Sequence, residues 1–77
     1  MKSVKINAPG NQIMVKNMNQ QIVNGYKRKG IIPNMVQHIK TFEETHGVKI
    51  IIENSIWKYI EFPDDQAYII ALLKWAN

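Results

Sequence analysis

Residues 48–62 read Val48-Lys49-Ile50-Ile51-Ile52-Glu53-Asn54-Ser55-Ile56-Trp57-Lys58-Tyr59-Ile60-Glu61-Phe62, and the fold turns on them. Two runs rich in β-branched and aromatic residues flank Asn54-Ser55, which suits a two-residue hairpin turn. In that register residue 52 faces 57, 50 faces 59 and 48 faces 61. One face then carries Val48, Ile50, Ile52, Trp57 and Tyr59, and this face is expected to meet the core. The other carries the mixed set Lys49, Ile51, Glu53, Ile56, Lys58, Ile60 and Phe62.

Helices are expected on both sides of this hairpin. Downstream, Pro63-Asp64-Asp65 ends the strand and starts a helix over about 64–76, with Asp64 accepting from unpaired backbone N–H groups. Residues 67–73 are all apolar or Tyr, and Trp75 follows, so this helix needs cover on more than one side. Upstream, Pro33 opens a helix over about 34–46. Met35, Val36, Ile39, Phe42 and His46 recur there at three- and four-residue spacing, and Gly47 stands where a left-handed cap ends it.

The N-terminal third is more ambiguous. Val4 and Ile6 alternate with polar neighbours, as in a strand. Pro9-Gly10 suits the middle of a type II turn, and Ile13 and Val15 alternate again, giving a first hairpin over about 2–17. A short helical turn near 18–24 would follow. The competing reading is a helix over about 12–24 built on Ile13, Met14, Met18, Ile22 and Val23. Gly25 and Gly30 bracket Tyr26-Lys27-Arg28-Lys29, which reads as a loop. The expectation is a single α+β domain over residues 1–77: two β-hairpins, about 2–17 and 48–62, with helices about 34–46 and 64–76 packed on the sheet.

Composition narrows the functional classes. The 77 residues hold 45% hydrophobic and 21% charged side chains, ordinary for a globular chain and too apolar for a disordered one. The absence of cysteine excludes disulfides, thiolate metal sites and thiol nucleophiles. No apolar run has membrane-span length and the N-terminus lacks the apolar stretch of a signal peptide, so no membrane contact and a cytoplasmic location are expected. A domain this small buries only about 60% of the surface of its unfolded chain, and a deep catalytic pocket is hard to carve from it. The apolar set is lopsided, with 13 Ile against 2 Leu, beside 9 Lys and 8 Asn, the codon bias of an AT-rich genome.

Charge is split along the chain. Residues 1–42 hold seven cations and no acid (+7), and residues 43–77 hold three cations and six acids (−3), which together make the net +4. Tyr26, Lys27, Arg28 and Lys29 form the densest cluster, a basic patch whose cations suit phosphates while the ring suits stacking on a base. The plainer reading is a solvated loop, and it is preferred because nothing beside it reads base edges. His38 and His46, with Glu43 and Glu44 nearby, invite an acid–base role, but no serine–histidine–acid spacing, phosphate-binding glycine loop or metal pair accompanies them. His46 more simply complements the helix dipole beside Gly47. Asp64-Asp65 reads as a cap in preference to a metal site. No catalytic residue, metal or cofactor is expected. Trp57, Tyr59, Tyr68 and Trp75 are core by default, yet a chain this short has little interior for four large aromatics, and they are the expected interface anchors.

Ile60-Glu61-Phe62-Pro63-Asp64-Asp65-Gln66-Ala67-Tyr68, continued by Leu73-Lys74-Trp75, resembles the end of small accessory proteins of tailed bacteriophages: strand, acidic helix start, apolar helix, then a basic residue and Trp. The resemblance covers about 16 residues and carries over no site residue. It implies an accessory protein that acts by binding a host or virion component, in the host cytoplasm. The expected function is therefore a small non-enzymatic protein-binding module whose partner is another protein or a second copy of itself. The alternatives are a nucleic-acid-binding protein using the basic N-terminal half and, third, a small acid–base enzyme.

Overall fold

The structure is a computed structural model, and it describes residues 1–76. The elements run β1 (Lys2–Lys5), α1 (Pro9–Lys29), α2 (Met35–His46), β2 (Lys49–Glu53), β3 (Ile56–Phe62) and α3 (Asp65–Trp75). The three strands form one antiparallel sheet in the order β1-β3-β2. The α+β class therefore holds, with one hairpin and not two.

The expected first hairpin over 2–17 is absent because its second half is helical. Pro9 occupies the first turn of α1, where its fixed φ favours a helix and its missing N–H costs nothing. Asn11, Met14, Val15, Met18 and Ile22 are buried at three- and four-residue spacing, so the helical period wins over the alternation of Ile13 and Val15. The competing helix was the right reading, and it is longer than 12–24 at both ends. β1 instead joins β3, with Val4 opposite Ile60 and Lys5 opposite Tyr59. Gly25 lies inside α1, and residues 26–29 are its last turn, not a loop. Gly30, at φ 69°, ends the helix in the left-handed region.

The β2–β3 hairpin forms as expected, with Asn54 and Ser55 at φ 52° and 64°, the backbone of a two-residue primed turn. Its register holds only next to the turn. Ile52 faces Trp57, but Ile51 then faces Tyr59, Ile50 faces Ile60 and Lys49 faces Glu61. Lys58 is the extra residue of a bulge, and beyond it the faces of β3 are exchanged. Ile60 and Phe62, expected on the mixed face, are buried, while Tyr59 goes to the opposite face and is half-buried.

The other two helices start and stop as their caps dictate. Asn34 accepts from Gln37 N–H at 2.8 Å, and the Gln37 side chain returns a longer bond of 3.4 Å to the Asn34 N–H. Gly47 closes α2 at φ 64°. Asp64 Oδ1 accepts from Ala67 N–H at 2.7 Å and starts α3. Asn11 ties three elements together: its amide donates to the Lys5 carbonyl at 2.8 Å and its oxygen accepts from the Tyr68 hydroxyl at 2.6 Å. Asn17 Nδ2 donates to the Trp75 carbonyl at 2.6 Å, so α1 holds α3 at both ends. Glu43 accepts from Ile50 N–H at 2.8 Å, covering a free donor of the edge strand β2. The core is Met14, Val15, Met18, Ile22, Phe42, Val48, Ile50, Ile60, Phe62 and Ala71.

Candidate functional site

The helical frame of α1 divides the expected basic patch. Tyr26 lies one turn beyond the buried Ile22 and turns inward, where its ring packs 5.7 Å from the His38 ring. Its hydroxyl is buried and has no hydrogen-bond partner among the described residues. Lys27, Arg28 and Lys29 are exposed, and none is in an ion pair among the described residues. Three cations at the negative end of a long helix dipole stabilise that end and concentrate positive potential there.

Beside them the chain turns from α1 into α2 through residues 30–34, and the turn is apolar. Ile31 is 51% exposed and Ile32 96% exposed, followed by Met35 at 65% and Val36 at 76%. Met35 and Val36 were expected in the inner stripe of α2. They are exposed because the first turn of α2 overhangs the core, whereas Ile39, Phe42 and His46 of the same stripe face inward. The overhang makes an open groove of about 370 Å³ between the end of α1 and the start of α2. Val23, Tyr26, Ile31, Pro33, Met35 and His38 supply its walls, and Lys27 stands on its rim. The signal in the sequence was Ile31-Ile32, an apolar pair between a capping glycine and a proline, outside any periodic element.

The expected aromatic anchors are placed differently. Trp57, Tyr68 and Trp75 are half-buried and pack against the core. Tyr59 lies on the outer sheet face beside Ile51. A chain of rings runs through the molecule from Tyr26 to His38, Trp57, Phe42, His46 and Trp75, with successive centroids 5.7, 5.9, 5.3, 4.9 and 5.5 Å apart. Such pairs add packing energy beyond the area they bury.

Both histidines are members of that chain. His38 Nε2 lies 2.6 Å from Asn19 Oδ1, and His46 Nε2 lies 3.1 Å from the Met18 carbonyl. Burial lowers the His46 pKa from its ordinary value, the bond to the Met18 carbonyl opposes this, and Lys74 lowers it further. Neither ring is hydrogen-bonded to a carboxylate among the described residues. No group of three His, Cys, Asp or Glu residues among the described residues could hold a metal ion, and no helix there is long and apolar enough to cross a membrane.

Comparison of the chain with known protein families, curated proteins and solved structures finds no match in any of the three.

Proposed function

We propose that this protein is a non-enzymatic protein-binding module that docks on another protein through the α1–α2 corner. The observation that carries the reading is the uncovered apolar surface of Ile31, Ile32 and Met35, which line the groove, with the exposed Val36 next to Met35 in the chain. Contiguous exposed apolar side chains beside polar ones are how interaction sites are built, and a domain this small gains little by leaving them in water. The resemblance of the last strand and helix to phage accessory proteins supports a protein that acts by binding in a host cytoplasm.

The test compares the parent with an Ile32→Ser/Met35→Ser variant, each immobilised and exposed to nuclease-treated bacterial lysate. The parent is expected to retain a partner that the variant loses. Retention that is identical for both, or absent for both in a protein that also stays monomeric by light scattering, overturns the reading.

A second reading is favoured by one observation. From Pro9 to Lys29, α1 contains no acid, and its exposed side carries Lys16, Gln20, Gln21, Asn24, Lys27 and Arg28. Amides and cations on one helix face suit bases and phosphates. If nucleic acid is the ligand, a Lys27→Ala/Arg28→Ala/Lys29→Ala variant should flatten the log–log salt slope by roughly 2–3 units. A parent that binds neither DNA nor RNA at low salt removes this alternative.

A further inference from the structure

The sheet ends in two edge strands, β1 and β2, and an edge strand is a template for a further strand. Along an antiparallel strand, successive residues turn their backbone N–H and C=O groups alternately toward the neighbouring strand and away from it. Ile50 gives its N–H to Glu43 of α2 and not to β3. Residues 50 and 52 therefore face the open side of β2, and 49, 51 and 53 face β3. Side chains alternate as well. Val48 and Ile50 are buried, so Lys49, Ile51 and Glu53 stand on the outer face of the sheet.

β2 reads Lys49-Ile50-Ile51-Ile52-Glu53, with opposite charges at its ends and isoleucine between them. A second copy laid antiparallel against it, with the two-fold axis at Ile51, sets Lys49 opposite the partner's Glu53 at both ends. Ile51 then meets the partner's Ile51, and Ile50 meets the partner's Ile52. The backbone agrees with the charges. Residues 50 and 52 both face outward, so they form the hydrogen-bonded pairs. The Lys–Glu and Ile51 pairs fall at the non-hydrogen-bonded positions, where side chains approach most closely. Lys49 and Glu53 are exposed, and neither is in an ion pair among the described residues.

We infer that the chain pairs with a second copy of itself along β2, in this register, joining the two sheets into one. Such a contact is isologous and closes on itself. It covers Ile52, which is 42% exposed, and it places Tyr59, Ile51 and their copies in one row across the outer face. The inference goes beyond the corner reading, since no residue of β2 lines that groove, and the two can fail separately.

Other arrangements fail on charge or on backbone. Parallel pairing in register sets Lys49 against Lys49 and Glu53 against Glu53. A slip of one residue sets outward-facing groups against inward-facing ones, and a slip of two parts Lys49 from Glu53. The other edge, β1, carries Lys2 and Lys5 at its ends, so its antiparallel self-pairing opposes lysine to lysine. A foreign strand would need the same order of cation, apolar run and acid, which β2 itself supplies.

One contact must give way. Glu43 Oε2 holds the Ile50 N–H at 2.8 Å, and that donor belongs to the partner's Ile52 carbonyl in the pair. Glu43 thus competes with the incoming strand and sets the concentration at which the pair forms.

The experiment follows the full chain by sedimentation equilibrium from micromolar to millimolar concentration, with amide hydrogen exchange at both limits. The parent is expected to pass from monomer to dimer, and the Ile52 amide to gain protection with concentration while the Ile51 amide does not. Lys49→Glu and Glu53→Lys each create like charges at both ends and should weaken the dimer about tenfold or more. Both positions are exposed, and circular dichroism verifies that the variants keep the fold. An equimolar mixture of the two variants restores opposite charges and should form a heterodimer of about parental strength. The Lys49→Glu/Glu53→Lys double variant should recover the homodimer. Glu43→Ala removes the competing carboxylate and should strengthen the dimer several-fold.

A parent that stays monomeric at millimolar concentration overturns the inference, whatever foreign strand it captures. So does a dimer indifferent to the single charge changes, a mixture that fails to associate, or protection that grows elsewhere than at Ile52. A Glu43→Ala dimer no stronger than the parent's overturns the register.

Discussion

His46 shows how much a single side chain can acquire from its neighbours. In the sequence it is a last-turn histidine beside a capping glycine, and the structure keeps that position while burial works against the cationic form that would complement the helix dipole. The fold adds a second role, because the ring sits 4.9 Å from Phe42 and 5.5 Å from Trp75 and bonds the Met18 carbonyl of α1. Its folded pKa is lowered, first by burial, so folding favours the neutral ring. The stabilisation is then complete above the ordinary value of 6.5 and is lost as pH falls below 6.5 through the folded pKa. Urea unfolding of the parent on both sides of pH 6.5 should show this loss. His46→Gln, which keeps a donor for the Met18 carbonyl, should show a smaller one. An identical pH dependence in the two proteins would refute the assignment. Tyr26 makes a similar point: as a member of a basic cluster it read as a stacking ring, and the helix packs it half-buried against His38 while its three cationic neighbours are exposed.

Among the elements, those with strong terminal signals were legible and those without were not. Asp64 and Gly47 were read correctly as caps, because a carboxylate at a helix start and a glycine at φ > 0 act through local bonds. The Asn54-Ser55 turn was legible for the same reason, and it supplies a prediction. Ser55 stands at φ 64°, a conformation that costs a non-glycine residue roughly 1–2 kcal/mol. Ser55→Gly should therefore raise stability by about 1 kcal/mol, after the loss to glycine's greater unfolded-state entropy. A rise in the urea midpoint at unchanged slope verifies it, and a fall refutes it. The start of α1 was not legible, because over residues 12–17 a period of two and a period of 3.6 fit the same apolar residues. The bulge at Lys58 was hidden too. A one-residue insertion leaves no mark in a run where both faces carry Ile and aromatics, yet it moved Tyr59 out of the core and Ile60 and Phe62 into it.

The whole molecule has one core with little to spare, and Phe42 is fully buried at its centre, against His46 and Trp57. Removing a buried Phe costs about 3–5 kcal/mol, while a domain of this size without disulfides holds only about that much in total. Phe42→Ala should therefore lose cooperative thermal unfolding at neutral pH, measured by circular dichroism. A sharp transition near that of the parent would show that the stability is distributed differently. At this scale the division between sequence and structure is physical. The sequence by itself determined the α+β class, the existence of the 48–62 hairpin, the C-cap of α2 at Gly47, the N-cap of α3 at Asp64, and the one-sided charge of residues 1–42, since each rests on neighbouring residues or on composition. Only the tertiary structure decided that β1 pairs with β3, that residues 9–29 are one helix, and that Met35 and Val36 overhang the core beside Ile31 and Ile32. Pairing between distant strands, and the exposure of one end of an apolar stripe, depend on what lies across the core. The sequence alone did not reveal that.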